Sequence, residues 1–181
     1  MKTIVIYRSK TGFTKKYAEL ISETLNCPTY SYNESKKINL EDYEVIIYGG
    51  SLYASGILGL KKFKKRLKNQ SLIVFAVGAT PPKDGLKEEL MDANFNAHEK
   101  EKVNFFYMRG GFKFDNLNIV DKGLMRMMKR SIQKKDLKDR TADEKGLLNA
   151  YEQPVDFTQK KNIEPLVNFY KEVYTHEKNV N

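Results

Sequence analysis

Ser9, Lys10, Thr11, Gly12, Phe13 and Thr14 directly follow the β-branched and aromatic run Thr3-Ile4-Val5-Ile6-Tyr7. Three hydroxyl residues around a glycine, set between a strand-forming run and a helical pattern, have the makings of a phosphate site. Gly12 lets the chain turn tightly, and the helix that follows offers unpaired N–H groups at the positive end of its dipole. The hydroxyls of Ser9, Thr11 and Thr14 can each donate to a phosphate oxygen. Ordinary helix capping accounts for one such hydroxyl, but not for three flanking a glycine after a buried strand.

Such a loop needs a strand to present it and a helix to receive the charge, and the chain supplies both. After the strand Thr3 to Tyr7, a helix is expected from about Phe13 to Leu25, with Tyr17, Ala18, Leu20, Ile21 and Leu25 on one face and Pro28 barring its continuation. A short second strand, Thr29 to Tyr32, precedes the apolar run Val45-Ile46-Ile47-Tyr48, closed by Gly49-Gly50-Ser51. Unbroken apolar runs of this kind read as central parallel strands covered on both faces. A helix over about Leu58 to Lys68, a strand over Leu72 to Val77, a helix capped by Asp84 and a strand over Val103 to Met108 follow. Strands alternating with helices imply an α/β, doubly wound parallel sheet. Beyond the fifth strand, Leu117 to about Ile132 forms a methionine-rich helix, with Val120, Leu124, Met127 and Met128 sharing one face. A charged stretch, 134–145, is expected to be mobile or weakly helical. Thr158 or Asn162 is expected to cap a final helix built on Ile163, Leu166, Val167, Phe169, Tyr170 and Val173. One domain over residues 1–176 is expected, with an insertion at about 112–155 and a polar tail at 177–181.

At 181 residues, 40% of them hydrophobic and 12% aromatic, the chain suits a globular protein with a full core. No apolar run approaches the ~20 residues that span a bilayer. A strand beginning at Thr3 leaves no room for a leader, and a single cysteine, Cys27, forms no internal disulfide; a reducing cytoplasm is the expected compartment. His98 and His176 show no metal-ligand spacing, so no metal is expected. The net charge of +9 is concentrated: six basic residues and no acid from Lys61 to Lys68, and eight basic residues against Asp136 and Asp139 from Lys122 to Arg140. Each run could be a solvated helix face, but two patches on an otherwise slightly acidic chain point to an anionic partner.

Ser9 to Thr14 resembles the phosphate loop of the flavodoxin family, Ser/Thr-x-Thr-Gly-x-Thr, at all six positions. The resemblance implies a flavodoxin-like fold, a five-stranded parallel sheet of order 2-1-3-4-5; in this chain a basic helical insertion is expected between the fifth strand and the last helix, as in the branch named below. It also implies FMN as cofactor, its 5′-phosphate held by this loop at the point where the strand order reverses. Two further loops embrace the flavin ring in that family. By position they are Ser51, Leu52, Tyr53, Ala54, Ser55 and Gly56 after the third strand, and Gly78, Ala79, Thr80 and Pro81 after the fourth. Tyr53 is the candidate to stack on the ring. Gly110-Gly111-Phe112-Lys113-Phe114, followed by Val120 to Lys129, resembles the menaquinone-dependent protoporphyrinogen oxidase branch.

These resemblances imply an FMN-binding redox protein whose chemistry takes place on the flavin. Because Ser51-Leu52-Tyr53 stands where that branch carries Arg-Tyr-Gly, electron transfer is the first reading and protoporphyrinogen oxidation with a quinone acceptor the alternative. The basic patches would meet an acidic redox partner protein, a quinone or an anionic tetrapyrrole, or the anionic inner membrane face through Lys61–Lys68 and Lys122–Arg140. The helix near 117–132 either lies on such a surface or packs on its own domain. A cofactor-free nucleic-acid-binding module would suit the charge, but no RNA-binding aromatic motif or DNA-reading helix accompanies it.

Overall fold

Thr3 to Arg8 alternates its side chains between two faces that are both apolar, so each face demands cover. In the computed structural model, which describes residues 1–117 and 119–175, this run is β1 (Thr3–Arg8). It lies between β2 (Thr29–Ser31) and β3 (Val45–Tyr53). A two-residue strand β4 (Gly56–Ile57) folds back antiparallel on β3, and β5 (Ser71–Gly78) and β6 (Asn104–Arg109) complete the sheet. The parallel order β2-β1-β3-β5-β6 is the expected 2-1-3-4-5 once β4 is set aside. The fold is α/β, flavodoxin-like and doubly wound. The expected tail at 177–181 lies outside the described residues.

The helices are α1 (Phe13–Leu25), α2 (Leu60–Lys64), α3 (Leu86–Asn94), α4 (Ala97–Lys102), α5 (Ile119–Gln133), α6 (Ala142–Glu152) and α7 (Glu164–Thr175), and α1 and α7 cover one face of the sheet, α2 and α3 the other. Val5, Ile47, Ile73 and Phe75 pack against Tyr17, Ala18 and Ile21 of α1 and Leu166 and Val167 of α7. Their strand neighbours Ile4, Ile6, Ile46 and Val74 point the other way, onto Leu60 and Phe63 of α2 and Leu90 of α3. Each fully buried side chain of this size contributes about 1.5–3 kcal/mol. The Thr3 and Tyr170 hydroxyls, 2.6 Å apart and buried, join β1 to α7.

Several expectations need correcting. Gly49 and Gly50 do not end the third strand; both lie within β3, in register with Tyr7 and Arg8 on one side and Phe75 and Ala76 on the other. A Cβ on Gly49 would collide with the Phe75 ring, so the glycine makes room for a neighbouring strand's aromatic rather than a turn. The second helix is shorter than expected, and the third begins after Gly85 without a side-chain cap from Asp84. The stretch from 134 onward contains α6, opened by a capping box between Thr141 and Glu144. Asn162 does not cap the last helix; its amide donates to the Tyr17 hydroxyl and the Phe157 carbonyl. The insertion leaves and re-enters the body as a pair of strands, β7 (Gly111–Phe112) and β8 (Val155–Asp156), joined antiparallel.

The methionine-rich helix, left open between a surface and its own domain, shows which of its faces packs. The face bearing Val120, Leu124, Met127 and Met128 stands exposed, while Asp121 and Ile132 are buried. Among the described residues no helix is long and apolar enough to cross a membrane.

Candidate functional site

The loop after β1 turns at Gly12, whose φ of 98° lies in the left-handed region that a side chain disfavours. The Gly12 N–H donates to Ser9 Oγ at 3.0 Å, closing the turn. The α1 terminus that follows has no side-chain cap and no acid in its first turn, so its positive end faces outward unneutralised. The Thr14 side chain is fully buried, with its hydroxyl 2.8 Å from Ser51 Oγ. Ser51 Oγ also accepts the Lys10 N–H at 3.1 Å. Ser51 thus ties the end of β3 to both limbs of the loop.

The segment from Ser51 to Gly56 is a hairpin formed by β3 and β4, with Ala54 in the left-handed region at its tip. Asn94 holds the hairpin from α3: its Oδ1 accepts the Ile57 N–H at 2.7 Å, and its Nδ2 donates to the Ser55 carbonyl at 2.7 Å. Tyr53 is thereby presented at the rim, 47% exposed. The loop after β5 is fixed from β6. The Tyr107 hydroxyl donates to the Thr80 carbonyl at 2.6 Å, and Arg109 Nε reaches the Ala79 carbonyl at 3.3 Å while its guanidinium covers the Phe157 ring. Burial pushes the Tyr107 phenol up to about 12, so it remains a donor at any physiological pH.

These three loops meet in a cavity of about 190 Å³ at the carboxyl ends of the parallel strands. Of the residues singled out in the sequence, Lys10, Thr11, Phe13, Ser51, Leu52, Tyr53, Gly78 and Ala79 line it. Ser9, Gly12 and Thr14 shape the loop beside it, whereas Ala54, Ser55, Gly56, Thr80 and Pro81 are not part of its wall. The fourth wall comes from the insertion, with Phe112, Leu117, Leu124 and Met125. Lys10 bridges the two halves: its ammonium is 3.7 Å from the Tyr53 ring centre and 2.5 Å from Asp121 Oδ2. Asp121 and Asn94 were not singled out as site residues. For Asp121 the signal was available, since it is the one acid on an otherwise basic helix. For Asn94 no local signal exists.

The flavodoxin domain profile matches residues 4–139. The chain belongs to the flavodoxin domain family. The match runs from β1 through α5, so the helix that walls the cavity falls within the domain, and α6, β8 and α7 lie beyond the matched span. This flavodoxin-domain chain is similar to the Trp repressor binding protein of Bacillus subtilis (19% identity, TM-score 0.42, 60% of this chain and 83% of that one). It is also similar to a flavoprotein from Lactobacillus acidophilus solved in complex with FMN (15%, 0.41, 60% and 91%). A third similar structure is that of oxidised flavodoxin 2 from Bacillus cereus (18%, 0.37, 64% and 90%). No curated protein matches the flavodoxin-domain chain.

Proposed function

We propose that this flavodoxin-domain protein binds FMN at the loop after β1 and acts as a flavin-dependent redox protein. The observation that carries the reading is the uncapped, acid-free α1 terminus beside Ser9 and Thr11, opening directly onto a cavity lined by Tyr53, Leu52 and Gly78. An anionic group would be held at one end and a planar apolar one at the other. Ser9 and Thr11 would offer hydroxyls to the phosphate, while Thr14 acts through Ser51 to hold the loop's shape. FMN supplies one- or two-electron transfer when bound; the protein binds, orients and excludes water. The cavity is smaller than the roughly 300–1,000 Å³ of most ligand pockets. Binding therefore needs the Tyr53 hairpin or α5 to give way at the ring end.

Purified protein is expected to be yellow and to release FMN on denaturation; colourless protein that FMN cannot reconstitute would overturn the reading. Thr11→Val is expected to weaken FMN by about ten- to a hundredfold, the loss of a charge-assisted hydrogen bond of roughly 1.5–3 kcal/mol, and to leave riboflavin affinity nearly unchanged. Equal losses for both ligands would place the phosphate elsewhere.

The insertion wall favours a second reading, oxidation of an organic substrate of the protoporphyrinogen type with a quinone acceptor. Phe112, Leu124 and Met125 give the cavity an apolar side that a small electron carrier does not need. Anaerobic mixing decides between the two: flavin reduced by the porphyrinogen supports the enzyme, and flavin reduced only by a generic donor supports the carrier.

A further inference from the structure

Among the described residues, six of the nine large apolar side chains that stand exposed belong to α5 or to the turn after it. Ile119 is 89% exposed, Val120 78% and Met127 67%. Val120, Leu124 and Met127 recur at i, i+4 and i+7, so they form one strip along the helix, which Ser131 at i+11 continues. Lys122, Arg126, Lys129 and Arg130 border the strip on one side, and the face carrying Asp121 and Ile132 packs inward on the other. Asp121, the helix's single acid, is turned onto Lys10, so the charge α5 shows to solvent is all positive.

We propose that this face of α5 docks on an anionic lipid surface, with the strip at the headgroup–acyl boundary and the basic border among the headgroups. An apolar strip edged by Lys and Arg on one short helix has the composition of helices that lie in the interface plane. The strip is aliphatic and thioether and its whole border is basic, so an anionic lipid surface complements it in both charge and apolarity. Leu124 belongs both to the strip and to the cavity wall, so docking sets the mouth of the cavity at the lipid surface. Lys68, in the other basic run, pairs with Glu41 and sits beside Ser71 at the opposite end of the strands. Lys64 pairs with Glu99, and Arg66 donates to Ser35. Three of the six basic side chains of that run are thus engaged within the fold, no apolar strip accompanies the others, and the docking surface is assigned to α5. Val120 and Met127 of the strip are not part of the cavity wall, so the docking face is tested separately from the cofactor.

Flotation with vesicles of phosphatidylglycerol and phosphatidylcholine in equal parts tests the proposal, with phosphatidylcholine vesicles as the neutral control. The protein is expected to float with the first and not the second. Met127→Glu is expected to weaken binding by about tenfold or more, and Arg126→Glu by at least about fivefold. Both side chains are exposed, so unchanged thermal melting checks that the fold is intact. Lys61→Glu is expected to leave binding as it was. Failure to float with anionic vesicles would overturn the proposal, as would a Lys61→Glu loss equal to that of Arg126→Glu or Met127→Glu binding like the parent. If vesicles fail while polyglutamate binds with sensitivity to Met127→Glu, the face serves an acidic protein and the lipid assignment is wrong.

Discussion

Lys10 is the residue through which the loop after β1 and the insertion meet. Its ammonium is mostly withdrawn from solvent and lies between a carboxylate from α5 and the face of Tyr53. Removing one partner leaves the other charge buried, a change that costs several times more than an exposed pair of the same length is worth. Asp121→Asn and Lys10→Met should therefore each lower stability, and the double variant should lose less than the sum. A coupling of about 1 kcal/mol or more is expected from denaturant melts of the four proteins. Strictly additive losses would show that the contact does not hold α5 to the loop. Cys27, by contrast, is a packed thiol: burial pushes it up to about 11, leaving it a weak nucleophile at neutral pH.

Among the elements, the short β7–β8 pair fastens the insertion to the body, and Lys16 of α1 braces it through Asp156 at 2.5 Å. Burial raises the Asp156 carboxyl, but hydrogen bonds from Lys16 and Thr158 more than offset it, and the group is held below its ordinary value. A carboxyl lowered in this way stabilises the fold fully above its unfolded value of about 3.9, and that stabilisation is lost as pH falls through the native value. Thermal melts of the parent and Asp156→Asn should thus differ at pH 6 and converge on acidification below about 4. A gap that persists in acid would mean the side chain acts through packing. The α5 helix illustrates why element-level reading can fail. Its periodicity correctly gives a helix with a Val120–Leu124–Met127 strip, yet the face turned inward is chosen by Asp121 meeting Lys10, a partner far away in sequence.

At the scale of the whole molecule, the sheet and its order were legible because alternation and unbroken apolar runs are local properties of the sequence. The phosphate loop was legible because a turn, three hydroxyls and a helix start occupy adjacent positions. Gly49 was misread because its purpose is Phe75 on the neighbouring strand, and Asn94 was missed because its partners, Ser55 and Ile57, meet it only after the chain folds. The two packed cores draw on the sheet, α1, α2, α3 and α7, whereas α5 and α6 contribute to neither. Amide hydrogen exchange should accordingly protect β1, β3 and β5 the most, and release α5 and α6 at lower opening free energies. Equal protection throughout would show that the insertion unfolds with the body.

The pairing of Gly111 with Asp156 and Phe112 with Val155 carries one more consequence. Paired antiparallel residues stand only about 4.5–5.5 Å apart at their Cα atoms, a gap that a two-residue turn closes. The chain thus leaves and re-enters the body through one narrow opening, so residues 113–154 form a long excursion whose two ends are fixed side by side, and the Lys10–Asp121 pair is its second anchor.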